Sequence, residues 1–132
     1  MAGVQVDLIV RGVCALRPGI PGLSDNIRVR SIIGRFLEHH RVFYFQSSND
    51  VFLSSADWMD RNFFRRIEVC FPVLDDKLKK RVIDESLKTY LADNVHAWEM
   101  DGDGRYKRRT PERGKGMSAQ AALLEKLASS AS

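Results

Sequence analysis

Two adjacent histidines stand in the stretch "RFLEHHRVFYFQSSNDVFLSSADW", Arg35 to Trp58, and the chain has only three histidines in all. They close an apolar run and precede a segment rich in aromatic residues. "RVFYFQ" and "VFLSS" alternate as strands, and "SSND" between them reads as a hairpin turn. If Gln46 pairs with Val51, Val42 faces Ser55 and His40 faces Asp57. The end of the second strand then returns beside the start of the first. Side chains alternate along a strand, so His39 and Arg41 share one face and His40 takes the other. A one-residue slip would exchange the serine that joins them. The expected patch holds His39, Arg41 and part of Ser54-Ser55-Asp57. An imidazole, a guanidinium and hydroxyls at a sheet end are groups suited to holding a phosphoryl group.

The surrounding charge fits an anionic ligand. Between Arg11 and Arg41 there are six arginines, no lysine and two acids, Asp25 and Glu38. Arginine without lysine suits bidentate contact with phosphate or carboxylate oxygens. A second basic block, "RYKRRTPERGK" (Arg105 to Lys115), falls in a predicted loop. Its bland reading is surface charge, and its functional one is a guide for a polyanion. His40 reads as a turn or solvent-facing residue, and His96 as structural. Cys14 and Cys70 lack metal-ligand spacing and read as buried free thiols in a reducing compartment.

The elements that must position these groups follow from pattern. At 132 residues, one domain over 1–132 is the natural expectation. No apolar run approaches the ~18 residues of a membrane span, and "MAGVQVDLIV" has neither the basic start nor the cleavage-like site of a secretory signal. The chain enters a strand pattern directly after Met-Ala-Gly, so a domain cut from a longer protein is expected. "VQVDLIVRG" (Val4 to Gly12) reads as a strand. "LRPGIPGLSDN" reads as a loop, with Ser24 as a candidate N-cap. "NIRVRSIIGRFLEH" reads as a helix through Val29, Ile32, Ile33, Phe36 and Leu37, with Arg28, Arg35 and Glu38 on its other face. "ADWMDRNFF" reads as irregular or as a short helical turn, and "RRIEVCFPV" as a strand closed by Pro72. "DDKLKKRVIDESLKTYLADN" reads as a helix capped by Asp75 or Asp76, with Leu78, Val82, Leu87 and Leu91 on its apolar face. "VHAWEM" reads as a short strand, 101–116 as a basic loop, and 117–132 as a terminal helix starting at Ser118. The order β-α-β-β-β-α-β-α gives an α/β fold, a mixed β-sheet flanked by helices.

The chain also resembles a known family. "VRGVCALRPGIPGLSDNIRVRSIIGRFLEHHRVFYF", followed by "VFLSSADWMDRNFFRRIEVCFPV", is similar to the C-terminal catalytic domain of polyphosphate kinase. The likeness extends through "DGRYKRR" and "SAQAALLEKL". That resemblance implies a phospholipase D-like domain, in which two related domains build one site. Each half of that superfamily carries a His-x-Lys strand motif followed by a Gly-Ser-x-Asn strand. Here His39-His40-Arg41 stands at the first position, with Arg for Lys, and Ser54-Ser55-Ala56-Asp57 stands near the second. The superfamily's acidic position falls near Gln46, so phospholipase chemistry is not implied.

By the resemblance, His39 matches the family's second active-site histidine, and Arg11 matches an arginine that contacts nucleotide phosphates. Arg41 is a further candidate for phosphate contact. The histidine that becomes phosphorylated belongs to the preceding catalytic domain. The implied reaction is reversible transfer of the ATP γ-phosphate to inorganic polyphosphate, in an enzyme that is itself a phosphoprotein during turnover. The implied cofactors are Mg²⁺ and ATP in the full enzyme, with none held by this domain alone. The implied partners are ATP or ADP, polyphosphate, the preceding catalytic domain and further copies in a homo-oligomer, but no nucleic acid. The implied location is cytoplasmic, or peripheral to the membrane.

Two other readings compete. One is a nucleic-acid or polyanion-binding module without catalysis, using the basic stretches with Phe43, Tyr44, Phe45, Trp58 and Phe63; strand alternation is expected to bury most of those rings. The other is a phospholipase D-like hydrolase assembled as a homodimer, which lacks the Lys and Asp of its motif. For Arg11 and His39 to meet one phosphate within a single sheet, "DLIVRG" is expected to run antiparallel to "VFYFQ".

Overall fold

The structure is a computed structural model and describes residues 3–12, 14–111, 114 and 116–129. In chain order its elements are β1 (Val6–Ile9), β2 (Ile27–Ile32), β3 (Arg41–Phe45), β4 (Asp50–Ser54), α1 (Asp60–Arg65) and β5 (Cys70–Pro72). There follow α2 (Asp76–Val82), a π-helical turn (Ile83–Lys88), α3 (Thr89–Ala92), β6 (Ala97–Met100), β7 (Tyr106–Arg108) and α4 (Ala119–Ser129). The fold class is α/β, as expected. The chain divides into two compact units, Met1–Leu37 with Tyr90–Ser132, and Glu38–Thr89.

The first unit holds a four-stranded mixed sheet in the order β1-β2-β6-β7. β1 and β2 are parallel, with Asp7 beside Arg28, and the other pairs are antiparallel. The helix expected over Asn26–His39 is instead β2 and an irregular segment. Ile27, Val29 and Ser31 alternate with Arg28 and Arg30, a period of two built on β-branched residues, and this outweighs the helical spacing of Val29, Ile32 and Phe36. Val29, Ser31 and Ile32 are buried, whereas Ile33, Phe36 and Leu37 are exposed. Ser24 caps no helix. Its hydroxyl donates to the Arg17 carbonyl at 2.7 Å and accepts from the Ile20 amide at 3.0 Å, closing the β1–β2 connection on itself.

The expected antiparallel pairing of "DLIVRG" with "VFYFQ" does not form; β1 pairs with β2 instead, and in parallel. β1 and β3 belong to separate sheets. The expected basic loop 101–116 contains a strand, β7. Asp101 makes the turn that feeds it: its side chain accepts from the amides of Asp103 and Arg105 at 3.0 and 2.9 Å, and Gly104 supplies a positive φ of 80°. Of the basic block, Glu112, Arg113 and Lys115 lie outside the described residues, as do residues 130–132 of the expected terminal helix.

The core of this unit is Ile32, Tyr90, Ala97 and Ala119, with Ile9 and Leu123 against it. A fully buried carboxylate, Asp93, organises its C-terminal half. It accepts from the amides of Val95 and His96 at 2.9 and 2.7 Å, and from the amide of Ala119 at 2.7 Å. The last contact lies at the N-terminus of α4, where a negative charge is favoured. Gln120 fastens the segment after β2: its side chain accepts from the Phe36 amide at 2.9 Å and donates to the Phe36 carbonyl at 2.7 Å. A Cβ on Gly34 would fall inside contact distance of Gln120 Oε1. That oxygen sits at the end of a flexible side chain, but moving it would break both bonds.

The second unit holds the antiparallel sheet β3-β4-β5. β3 pairs with β4 from Arg41–Ser54 to Phe45–Asp50. The register differs by two residues from the expected Gln46–Val51 pairing, so each side chain keeps its face. The turn moves to Gln46–Asn49 because Asn49 adopts a left-handed φ of 55°, which Asn tolerates. Val51, 1% exposed, is the centre of the core, with Ala56 and Ile83 also buried. Cys70 is exposed rather than buried, because it lies on β5 at the edge of a three-stranded sheet. Asp75 is the cap of α2, its side chain accepting from the Leu78 amide at 2.9 Å. Along that helix Ile83 and Tyr90 are the buried side chains, whereas Leu78 is 53% exposed.

Replacing Asp93 with Ala leaves the part-buried amides of Val95 and His96 and the buried amide of Ala119 without this acceptor. Chemical denaturation should show a loss of about 3 kcal/mol or more. A loss within about 0.5 kcal/mol, the range of ordinary surface substitutions, would remove Asp93 from its organising role.

Candidate functional site

The site candidates of the second unit gather around Arg41, the first residue of β3. Its guanidinium reaches Asp57 Oδ1 through Nε at 3.0 Å and through Nη2 at 2.8 Å. Its third contact is a donation from Nη1 to the backbone carbonyl of His39. The rigid fork of Arg thus links the segment before β3 to the segment after β4. Both charged side chains are about three-quarters buried, with 25% and 26% exposure, so this pair is screened less than a surface pair. Arg61 lies 3.9 Å from the other oxygen of Asp57. His39 itself is exposed, and His40 Nδ1 sits 3.3 Å from Glu38 Oε2.

Of the expected patch, the Arg41 and Asp57 side chains meet, and His39 joins them through its backbone carbonyl. The serines have local roles. Ser54 Oγ accepts from the Ala56 amide at 3.0 Å and so shapes the turn toward Asp57. Ser55 accepts from the Val69 amide at 3.0 Å and donates to Glu68.

Glu68 went unnoticed in the sequence, although a lone acid inside "RRIEVCF" is a usable signal. It accepts from Ser55 and, at 2.6 Å, from the side-chain amide of the buried Asn62. The Ser55 hydroxyl first, then the Asn62 amide, hold its carboxyl below the ordinary carboxylate range, and the charges of Arg66 and Arg41 add to this. Asn62 Oδ1 is buried without a hydrogen-bond partner.

Arg11 belongs to the first unit, exposed at the bend that follows β1. Pairing continues past the strand, the Val10 amide donating to the Arg30 carbonyl at 2.8 Å. Next to Arg11, the carbonyl of Gly12 lies 3.5 Å from the Tyr106 hydroxyl of β7, whose ionisation burial pushes up. Arg28 and Arg30 of this unit are committed to structure. Arg28 makes a bidentate pair with Asp7 at 2.8 and 3.0 Å. Arg30, only 12% exposed, donates to the Leu91 carbonyl at 2.6 Å and faces Glu99 at 3.7 Å. Burial lowers its pKa, opposed by Glu99. A shallow groove of about 280 Å³ runs past Arg28, Arg30, Glu99 and Gly102, and none of Arg11, His39 and Arg41 lines it. His96 is structural, its Nδ1 lying 3.2 Å from Ser118 Oγ.

Among the described residues, no group of three or more His, Cys, Asp or Glu side chains is placed to hold a metal ion. Among the described residues, no helix is long and apolar enough to cross a membrane.

Comparison with known proteins settles the family. Residues 1–120 match the family described as polyphosphate kinase C-terminal domain 2. The chain belongs to that family. It is 63% identical over 131 residues to a polyphosphate kinase of Burkholderia lata and 60% identical over 130 residues to one of Paraburkholderia phytofirmans, in each case over 97% of this chain. It spans 19% of the length of each of these relatives. A crystal structure of polyphosphate kinase from Porphyromonas gingivalis superimposes with a TM-score of 0.89 at 42% identity, covering 97% of this chain and 20% of that one. The family does not favour a non-catalytic nucleic-acid module. The rings offered for that reading are not buried as expected: Phe45, Trp58 and Phe63 are all more than half exposed.

Two outcomes test this geometry. Arg41→Lys keeps the charge and loses the fork. It should speed amide exchange at 39–41 and cost about 1 kcal/mol, since the pair is partly solvated; unchanged exchange would contradict the linking role. For Glu68, the folded pKa is depressed. Its stabilisation is full above the unfolded carboxylate pKa of ~4.3 and is lost as pH falls through the lower folded value. Acid unfolding of Glu68→Gln should therefore show a weaker pH dependence below about pH 4.3 than the parent, and parallel curves would contradict it.

Proposed function

We propose that this chain is the part of a polyphosphate kinase that supplies one side of the phosphoryl-transfer site. The supporting observation is the family match, joined to an exposed His39 whose backbone is fixed by Arg41. In this reading the whole enzyme moves the γ-phosphate of ATP reversibly onto a histidine in the preceding catalytic domain, and the terminal phosphate of polyphosphate then takes it.

Such a transfer spreads negative charge over the oxygens of the moving phosphoryl group, so positioned cationic and hydrogen-bonding groups do most of the work. ADP leaves readily and needs little protonation. His39 therefore acts mainly as a hydrogen-bond donor to the phosphoryl oxygens, with general-acid work the lesser role. Arg11 contacts nucleotide phosphates. Arg41 holds His39 in place, and its five-donor fork leaves N–H groups for an anion beyond the three contacts described. ATP, ADP and polyphosphate are the ligands, and Mg²⁺ is held elsewhere in the full enzyme, which assembles as a homo-oligomer. A cytoplasmic setting, or one peripheral to the membrane, completes the proposal. The free thiols Cys14 and Cys70 fit the reducing conditions of the cytoplasm.

In the full-length enzyme, His39→Ala should lower kcat by about a hundredfold or more, the cost of losing a donor to transition-state charge. His39→Gln keeps a donor and should retain more activity than Ala. Equal loss in both variants would overturn the donor assignment.

A further inference from the structure

Arg11 stands where the order of the first sheet runs out. The β1 ladder ends at Ile9, the Val10 amide extends it to the Arg30 carbonyl, and the chain then bends through Arg11 and Gly12. Glycine brings more backbone freedom to such a bend than any other residue. A guanidinium placed there is aimed only if the backbone is held on both sides of it. On the near side, the Val10 amide is held at 2.8 Å. On the far side, the Tyr106 hydroxyl, 94 residues along the chain, donates to the Gly12 carbonyl at 3.5 Å.

Tyr106 is itself well fixed. It opens β7, opposite Met100 of β6. The Asp101 turn fastens the strand at one end. There the Asp101 amide donates to the Arg105 carbonyl at 2.9 Å, and its carboxylate accepts from the Asp103 and Arg105 amides. Arg108 fastens the other end, donating to the Val95 carbonyl from Nε at 3.2 Å and from Nη2 at 2.9 Å. A tyrosine side chain has only two rotors, so a strand held at both ends leaves its hydroxyl little room to wander. Burial first, and then Cys14, raises the pKa of the phenol, which keeps the hydroxyl a donor through neutral pH.

We propose that Tyr106 is a positioning residue for Arg11: by holding the Gly12 carbonyl it fixes the bend, and so the direction in which Arg11 meets nucleotide phosphates. The proposal rests on the polyphosphate kinase reading, through the role given there to Arg11. It assigns a task to "DGRYKRR", a stretch that otherwise reads as basic surface. The hydroxyl has one proton to donate, and the Gly12 carbonyl takes it, so Tyr106 acts through Arg11 rather than on a phosphate directly. At 3.5 Å the contact is long, so its loss loosens the bend without collapsing it.

The full-length enzyme that carries this chain provides the test, as the parent, Tyr106→Phe, Arg11→Ala and the double variant. ATP dissociation constants are measured by calorimetry and kcat by turnover. Tyr106→Phe should weaken ATP binding about threefold or more and leave kcat within about twofold, the pattern of lost uniform binding. In the Arg11→Ala background the same change should have almost no further effect, because the hydroxyl acts through Arg11. Peptides covering Arg11 and Gly12 should exchange their amide hydrogens faster in Tyr106→Phe than in the parent. Unchanged ATP binding or unchanged exchange in Tyr106→Phe would overturn the proposal. So would an equal loss of ATP binding in both backgrounds, which puts the hydroxyl to work apart from Arg11. A parent enzyme without kinase activity refutes the kinase reading and the proposal with it, whereas an active parent with an indifferent Tyr106→Phe refutes only the positioning role.

Discussion

The guanidinium of Arg41 is the contact on which the second unit's functional geometry depends. A planar fork of donors can be shared between a carboxylate and a carbonyl only if both are held at fixed positions, and Asp57 and the His39 backbone occupy them. The β3–β4 register sets up this arrangement by placing Arg41 opposite Ser54, from which the chain turns to Asp57. A lysine, with a single rotatable point charge, could pair with Asp57 but could not also fix the direction of the His39 backbone. The motif His39-His40-Arg41 thus has a mechanical meaning. The residue two places after the histidine anchors the backbone that presents it.

The first unit solves a different problem with similar chemistry. Its core is small, and the buried Asp93 carboxylate does what a larger core would do elsewhere, gathering the 93–96 turn and the start of α4 around one charge. Gln120, on the first turn of α4, holds Phe36 as a neighbouring strand would. Short helices and strands can then sustain an irregular connection after β2 that local propensity alone would not hold.

Much of this was legible in the sequence. The hairpin, the helix capped by Asp75, the strand at Ala97–Met100 and the terminal helix each carry a local signature, and the structure has them. The second strand was not read correctly. "IRVRSIIGRFL" satisfies both periods, and only pairing with β1 and β6 decides between them. β7 was hidden because "YKR" is too short and too charged to signal a strand, and its formation depends on the Asp101 turn and on β6. The meeting of Arg41 with Asp57 was legible in kind, because alternation survives a two-residue register shift. Its wiring was not: that Arg41 binds the backbone of His39, and that Ser55 serves Glu68, are consequences of three-dimensional packing. The resemblance to polyphosphate kinase, carried by long uninterrupted motifs, proved the most informative signal.

The central claim is that these residues form a phosphate-directed half of a polyphosphate kinase site. Calorimetric binding of ATP and of polyphosphate to the full-length enzyme that carries this chain, in wild type, Arg11→Ala and His39→Ala, tests it most directly. The account expects both ligands to bind wild type and both substitutions to weaken that binding. Binding that is indifferent to both substitutions would contradict it.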